Sequence, residues 1–200
     1  MNLSDRLIAE TNVLAARRAL FDYHRSTLPS GMLQNRYSSE YRQVIPSFSL
    51  YLIHMLDEHF WHFGDRELIC RYVPTMTGVL DWFRRKLTPE GLVGPTSQAY
   101  WPYFDWCKDC ELGTPPAHAK GPLTLLSQLY ASELHTVARI YEAVGWKDAS
   151  REANTVNEAL LRFYGDWNAD CSRTDPRWRI LAKTRRYGAS SAAQYREKML

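Results

Sequence analysis

Apolar residues along this chain recur at three- and four-residue steps over long stretches, and strict apolar–polar alternation is scarce. That period lays one apolar stripe along a helix and predicts helices rather than strands. A first helix is predicted over about residues 5–27, with Leu7, Leu14 and Phe21 at near-heptad spacing. A second covers about 45–63, through Phe48, Leu52, Met55, Leu56, Phe60 and Phe63. A third covers about 66–87, through Ile69, Tyr72, Val73, Met76, Val79, Leu80 and Phe83. Pro74 lies inside it and either kinks it or breaks it near Tyr72. A fourth covers about 122–144, where Pro122 suits a first helical turn, and a fifth about 147–164.

The links between these helices alternate in length. Two are short, Phe63-Gly64-Asp65-Arg66 and Val144-Gly145-Trp146-Lys147-Asp148, where Gly ends one helix and Asp caps the next. Two are long, about residues 28–44 and 88–121. The long links open alike, as Leu28-Pro29-Ser30-Gly31-Met32-Leu33 and as Thr88-Pro89-Glu90-Gly91-Leu92-Val93, an internal repeat 60 residues apart. Antiparallel helices joined in this way place the short links at one end and the long links at the other. A solenoid requires near-identical short repeats, which are absent here. A toroid of helical hairpins with functional loops at one mouth fits better.

Composition narrows the class. At 200 residues, 45% apolar and 24% charged, the chain is globular and long enough to bury a sizeable core. It is rich in aromatics, with 7 Trp, 12 Tyr and 7 Phe. No apolar run of about 18 residues is present, so no membrane-spanning helix is expected. No secretory signal is visible and four scattered Cys form no disulfide framework, so a cytoplasmic setting is expected. The net charge of +3 is uneven: residues 172–200 hold eight basic and two acidic residues, leaving the body at −3. Nucleic acid is therefore not an expected partner of the body. Residues 1–171 are read as the folded domain, and 172–200 as a basic, poorly packed tail.

The most unusual stretch is Tyr100-Trp101-Pro102-Tyr103-Phe104-Asp105-Trp106, five aromatics around one carboxylate. Aromatic faces stack on the apolar faces of sugar rings and a carboxylate accepts hydroxyl hydrogen bonds, so the segment suits a carbohydrate. It equally suits a loop that covers the core with aromatics. Glycoside cleavage normally needs two carboxylates flanking the bond. Glu40, Asp57 and Glu58 read as solvated faces or helix pairs, and no acid–base pair stands out beside Asp105. Cys107 and Cys110 have the spacing of half a zinc site, but Cys70 and Cys171 are isolated and only His118 lies near. They read as ordinary thiols, and no metal or cofactor is expected. His54, His59 and His62 read as surface or lightly packed histidines.

Several of these segments, taken in order, resemble bacterial-type α-L-rhamnosidases of glycoside hydrolase family 78. They are Leu28 to Ser39, Gln43-Val44-Ile45-Pro46-Ser47-Phe48-Ser49-Leu50, Gly64-Asp65-Arg66-Glu67, Val79-Leu80-Asp81-Trp82-Phe83, Gly91-Leu92-Val93-Gly94 and Tyr103-Phe104-Asp105-Trp106, within about residues 10–165. The resemblance implies an all-α fold, a partial (α/α)6 toroid of antiparallel helical hairpins. It implies inverting hydrolysis of terminal α-L-rhamnosides without a cofactor. It places Asp105 and Trp106 in the sugar pocket, Trp106 stacking on the ring, with Arg36 and Trp101 as further substrate-binding residues. In that family the general acid precedes the region matched by the first helix, and the general base lies in a later hairpin. The chain is thus expected to hold about half a toroid, without either catalytic carboxylate, and to be inactive alone. Exposed hairpin edges would then favour self-association, or the chain would serve as a non-catalytic helical interaction domain.

Overall fold

The local chemistry of each link explains where the helices stop. In the computed structural model, α1 spans Leu3–Arg25, α2 Pro46–Phe63, α3 Arg66–Arg84 and α4 Thr124–Ala143. Residues 147–156 are also helical (α5). The structure describes residues 3–106, 111–114 and 123–156, with side chains from Asn12 onward. All of these lie in one compact unit, Met1–Leu160. The expected boundary near residue 171, the basic segment and the far end of the fifth helix lie outside the described residues.

Pro46 occupies the first turn of α2, where its fixed φ costs no hydrogen bond. The Asp65 carboxylate caps α3 by accepting from the Leu68 N–H at 3.1 Å. Pro74 sits within α3 without ending it. The short links meet at one end, where the Arg66 guanidinium donates to the Val144 carbonyl. The long links meet at the other. There Arg85 donates to the Ser30 carbonyl (3.2 Å), the Trp101 N–H to the Val44 carbonyl (2.9 Å) and the Ser47 hydroxyl to the Tyr103 carbonyl (3.1 Å). Helices α2 and α4 therefore run in the same direction. Their mutual packing is the most extensive, and α2 also packs on α1 and α3. Leu50, Ile53, Leu56, Ile69, Met76, Val79, Val137 and Ile140 fill the core, and Phe83 stacks on Tyr130 at 5.2 Å.

The expected repeat has a shared structure. In each long link a three-residue turn closes a short hairpin, bridging Thr27 to Leu33 and Leu87 to Val93. Gly31 (φ +92) and Gly91 (φ +82) take the left-handed position that such a turn requires. Each hairpin exit is then held by a buried serine of the following helix. Ser49 accepts from the Leu33 N–H at 3.1 Å, and Ser127 from the Val93 N–H at 2.8 Å.

The near-heptad spacing of the first helix does not mark its packed face. Two residues of that row, Leu14 and Phe21, are exposed, whereas Leu20 is buried. Helix α1 meets α2 and α3 through a different face: the Tyr23 hydroxyl donates to the Phe48 carbonyl (2.9 Å) and His24 Nδ1 lies 2.6 Å from Thr75 Oγ1.

Candidate functional site

The end where the long links meet carries the aromatic segment. Two anchors tie it to the start of α2: the Trp101 N–H to Val44 and the Ser47 hydroxyl to the Tyr103 carbonyl. The chain then doubles back, and the Phe104 N–H donates to the Gly113 carbonyl at 2.8 Å. Gly113 is required there, since a Cβ would sit 2.3 Å from the Tyr103 ring. The Trp101 indole donates to the Leu112 carbonyl at 3.2 Å, which fixes its ring.

Tyr103 is the centre of the cluster. Its ring centroid lies 4.9 Å from Trp101, 5.4 Å from Trp106 and 6.0 Å, edge-on, from Phe48. Trp106 is 67% exposed, so its indole does not plug the loop against the core. Asp105 is exposed beside it, and its Oδ1 accepts from the Trp106 N–H at 2.7 Å. Trp101, Asp105 and Trp106 are thus brought together. Arg36 is exposed on the neighbouring link, and no hydrogen bond, ion pair or ring contact joins it to them among the described residues. Beside it, Asn35 and Gln43 pair through backbone (3.0 Å) and side-chain amides (2.9 Å), closing the base of that link. Sequence reasoning missed the central place of Tyr103. The only signal for it is Gly113, a small residue that leaves room for a ring. An exposed aromatic wall with an adjoining carboxylate can stack on an apolar ligand face and accept hydroxyl hydrogen bonds.

A second polar cluster lies deeper, between α2 and α4. Asp57 was expected on a solvated face or in a helix pair, and it is no solvated residue, at 3% exposed. It pairs with Arg139 at 2.5 Å and accepts from the Trp61 indole at 3.0 Å. Burial lifts its carboxyl above the usual range despite the Arg139 charge. Glu133 is 5% exposed, and burial together with the Asp57 charge pushes its carboxyl up to about 8. His59 was expected at the surface or lightly packed. It is buried, with Nε2 at 3.2 Å from Asp65. Burial raises the Asp65 carboxyl, but the Leu68 N–H, His59 and Arg17 outweigh it and hold it below its ordinary value. The helix-pair reading of Glu58 stands, with His62 at 3.4 Å, and Glu40 is exposed. Among the described residues no three His, Cys, Asp or Glu converge to hold a metal. Cys107, Cys110 and His118 lie outside them. No described helix is long and apolar enough to cross a membrane.

No family model and no curated protein matches the chain. Solved structures do. A glycoside hydrolase family 78 rhamnosidase of Bacillus sp. GL1 superposes with a TM-score of 0.63 at 18% identity, covering 74% of this chain. An α-L-rhamnosidase from Dictyoglumus thermophilum gives 0.57 at 18% identity, again over 74% of this chain. The chain carries a rhamnosidase-like fold. It is all-α and corresponds to part of the helical toroid of these structures, with antiparallel hairpins and loops gathered at one end. The chain spans only 15% and 16% of the length of these two rhamnosidases.

Proposed function

We propose that the chain is a sugar-binding part of a rhamnosidase-like toroid, which takes terminal α-L-rhamnosides at the aromatic mouth and does not hydrolyse them alone. The observation that carries this reading is the packed trio Trp101, Tyr103 and Trp106, with Trp106 67% exposed at the end where both long links meet. An exposed indole held by two ring neighbours is a preorganised stacking surface. Rhamnose has an apolar face, including a methyl group, that suits such a ring, and hydroxyls that suit Asp105. Arg36, on the adjoining link, donates to a further hydroxyl. The reaction requires an acid and a base on opposite sides of the bond, and Asp105, which accepts sugar hydroxyls, is neither of them. No cofactor takes part. The free Cys70 thiol fits a reducing, cytoplasmic setting.

Incubation with a chromogenic aryl α-L-rhamnoside tests the catalytic half of this reading. No release of chromophore above the buffer rate is expected. Turnover that survives repurification and disappears in Asp105→Asn would show that the mouth holds working catalytic groups.

A further inference from the structure

The return of the chain behind Tyr103 is a tight turn, Glu111-Leu112-Gly113-Thr114, closed by the Thr114 N–H donating to the Glu111 carbonyl at 2.9 Å. Both central residues have positive φ, Leu112 at 48° and Gly113 at 73°. That pairing marks a type I′ turn, whose first central position favours Asn, Asp or Gly. The Cβ of a leucine crowds the backbone there, and its side chain has no polar group to bond the turn. Leu112 is the one non-glycine residue with positive φ among the described residues. Burial does not offset the strain, because Leu112 is 72% exposed. Leucine at this place therefore both strains the turn and leaves an apolar side chain in water. Strain of this kind gathers where a ligand is held.

The turn belongs to the mouth. The Leu112 carbonyl accepts from the Trp101 indole at 3.2 Å, and the Gly113 carbonyl accepts from the Phe104 and Asp105 N–H groups at 2.8 and 3.3 Å. Trp101 lies 6.2 Å from Trp106, centroid to centroid. We propose that Leu112 is a specificity-determining residue of this mouth and contacts an apolar aglycone, the group across the glycosidic oxygen from the sugar. The assignment rests on the sugar reading: Trp106 takes the sugar ring, and Leu112, beside the neighbouring indole, takes the group attached to it. An aliphatic side chain offers nothing to a hydroxyl, and its contribution to binding follows the apolar area it removes from water. Leu112 therefore favours an aryl or long alkyl aglycone over a methyl or hydroxylated one.

Isothermal titration calorimetry of the full chain with methyl and phenyl α-L-rhamnoside tests this, beside the variant Leu112→Asn. The parent should bind the phenyl glycoside about fivefold more tightly or better. Leu112→Asn keeps the carbonyl that anchors Trp101, and should bring the ratio of the two affinities close to one. Its midpoint of urea unfolding should rise, because asparagine suits the turn. An unchanged ratio, or an equal loss for both glycosides, would overturn the assignment and leave the sugar reading standing. A lower unfolding midpoint would show that the leucine serves the fold, and would overturn it too. Binding of neither glycoside by the parent would remove the sugar reading and this assignment together.

Discussion

The layer between α2 and α4 and the mouth at the long links use the same residue classes, carboxylates beside aromatics, in opposite ways. In the layer, Asp57 is sealed by Arg139 and the Trp61 indole, and Glu133 is buried next to it. In the mouth, Asp105 and Trp106 are open to solvent, while Trp101 and Tyr103 behind them are held by backbone anchors. The first arrangement spends its chemistry on fixing two helices. The second keeps its chemistry outward, on a loop held by main-chain, indole and buried serine contacts. A carboxylate beside an indole is therefore no sign of a binding site by itself, and exposure decides which one it is.

The largest test of this contrast is pH. Glu133 has a folded carboxyl pushed up to about 8, well above its value in an unfolded chain. For a raised acid the contribution to stability is fully present below the unfolded pKa. It is lost as pH rises toward the folded value, because the unfolded chain releases the proton first. Stability should therefore fall between about pH 4.5 and pH 8 by about 3–5 kcal/mol from this group. The groups facing it are Asp57 on α2 and Arg139 on α4. Glu133→Gln should flatten the slope, measured by urea unfolding across that range. An unchanged slope would mean that Glu133 is charged in the fold.

A smaller effect is expected where the links leave the core. Ser127→Ala leaves the buried Val93 N–H without its 2.8 Å acceptor and should cost about 1–3 kcal/mol. Ser49→Ala, at the equivalent place in the first link, should cost a similar amount at Leu33. Chemical denaturation compares the two. A large difference between them would mean that the repeated hairpins do not share one anchoring scheme.

Much of the fold was legible because the hairpin pattern is written in local signals. Gly64 and Asp65 stop α2 and start α3, and the spacing of Ile69, Val73, Met76 and Leu80 sets the buried face of α3. The 60-residue repeat was legible because its turn demands Pro followed by Gly at fixed places. Burial of polar groups was not legible. Asp57 follows Leu56 and precedes Glu58, and the approach of Arg139, 82 residues away, is not visible in that local pattern. His59 is similar, since Asp65 reaches it from the far side of a turn. The outward turn of Leu14 and Phe21 was hidden for the converse reason: a seven-residue apolar row marks one helix face but does not say which neighbour covers it. In the site, Trp101, Asp105 and Trp106 were legible as a composition anomaly, whereas the pivot at Tyr103 depends on the return of the chain at Gly113.

The smallest expected change in stability is also the most direct test of the central claim, that the mouth is a sugar-binding surface. Trp106 is two-thirds exposed, so Trp106→Ala should change stability by less than about 1 kcal/mol. Titration of the chain with methyl α-L-rhamnoside, followed by tryptophan fluorescence, should give a saturable change that Trp106→Ala abolishes. Methyl α-D-glucoside should give none. A saturable rhamnoside response in the parent that vanishes in a fully folded Trp106→Ala variant is the predicted result. An absent response in the parent chain, or one that survives the substitution undiminished, would contradict the account.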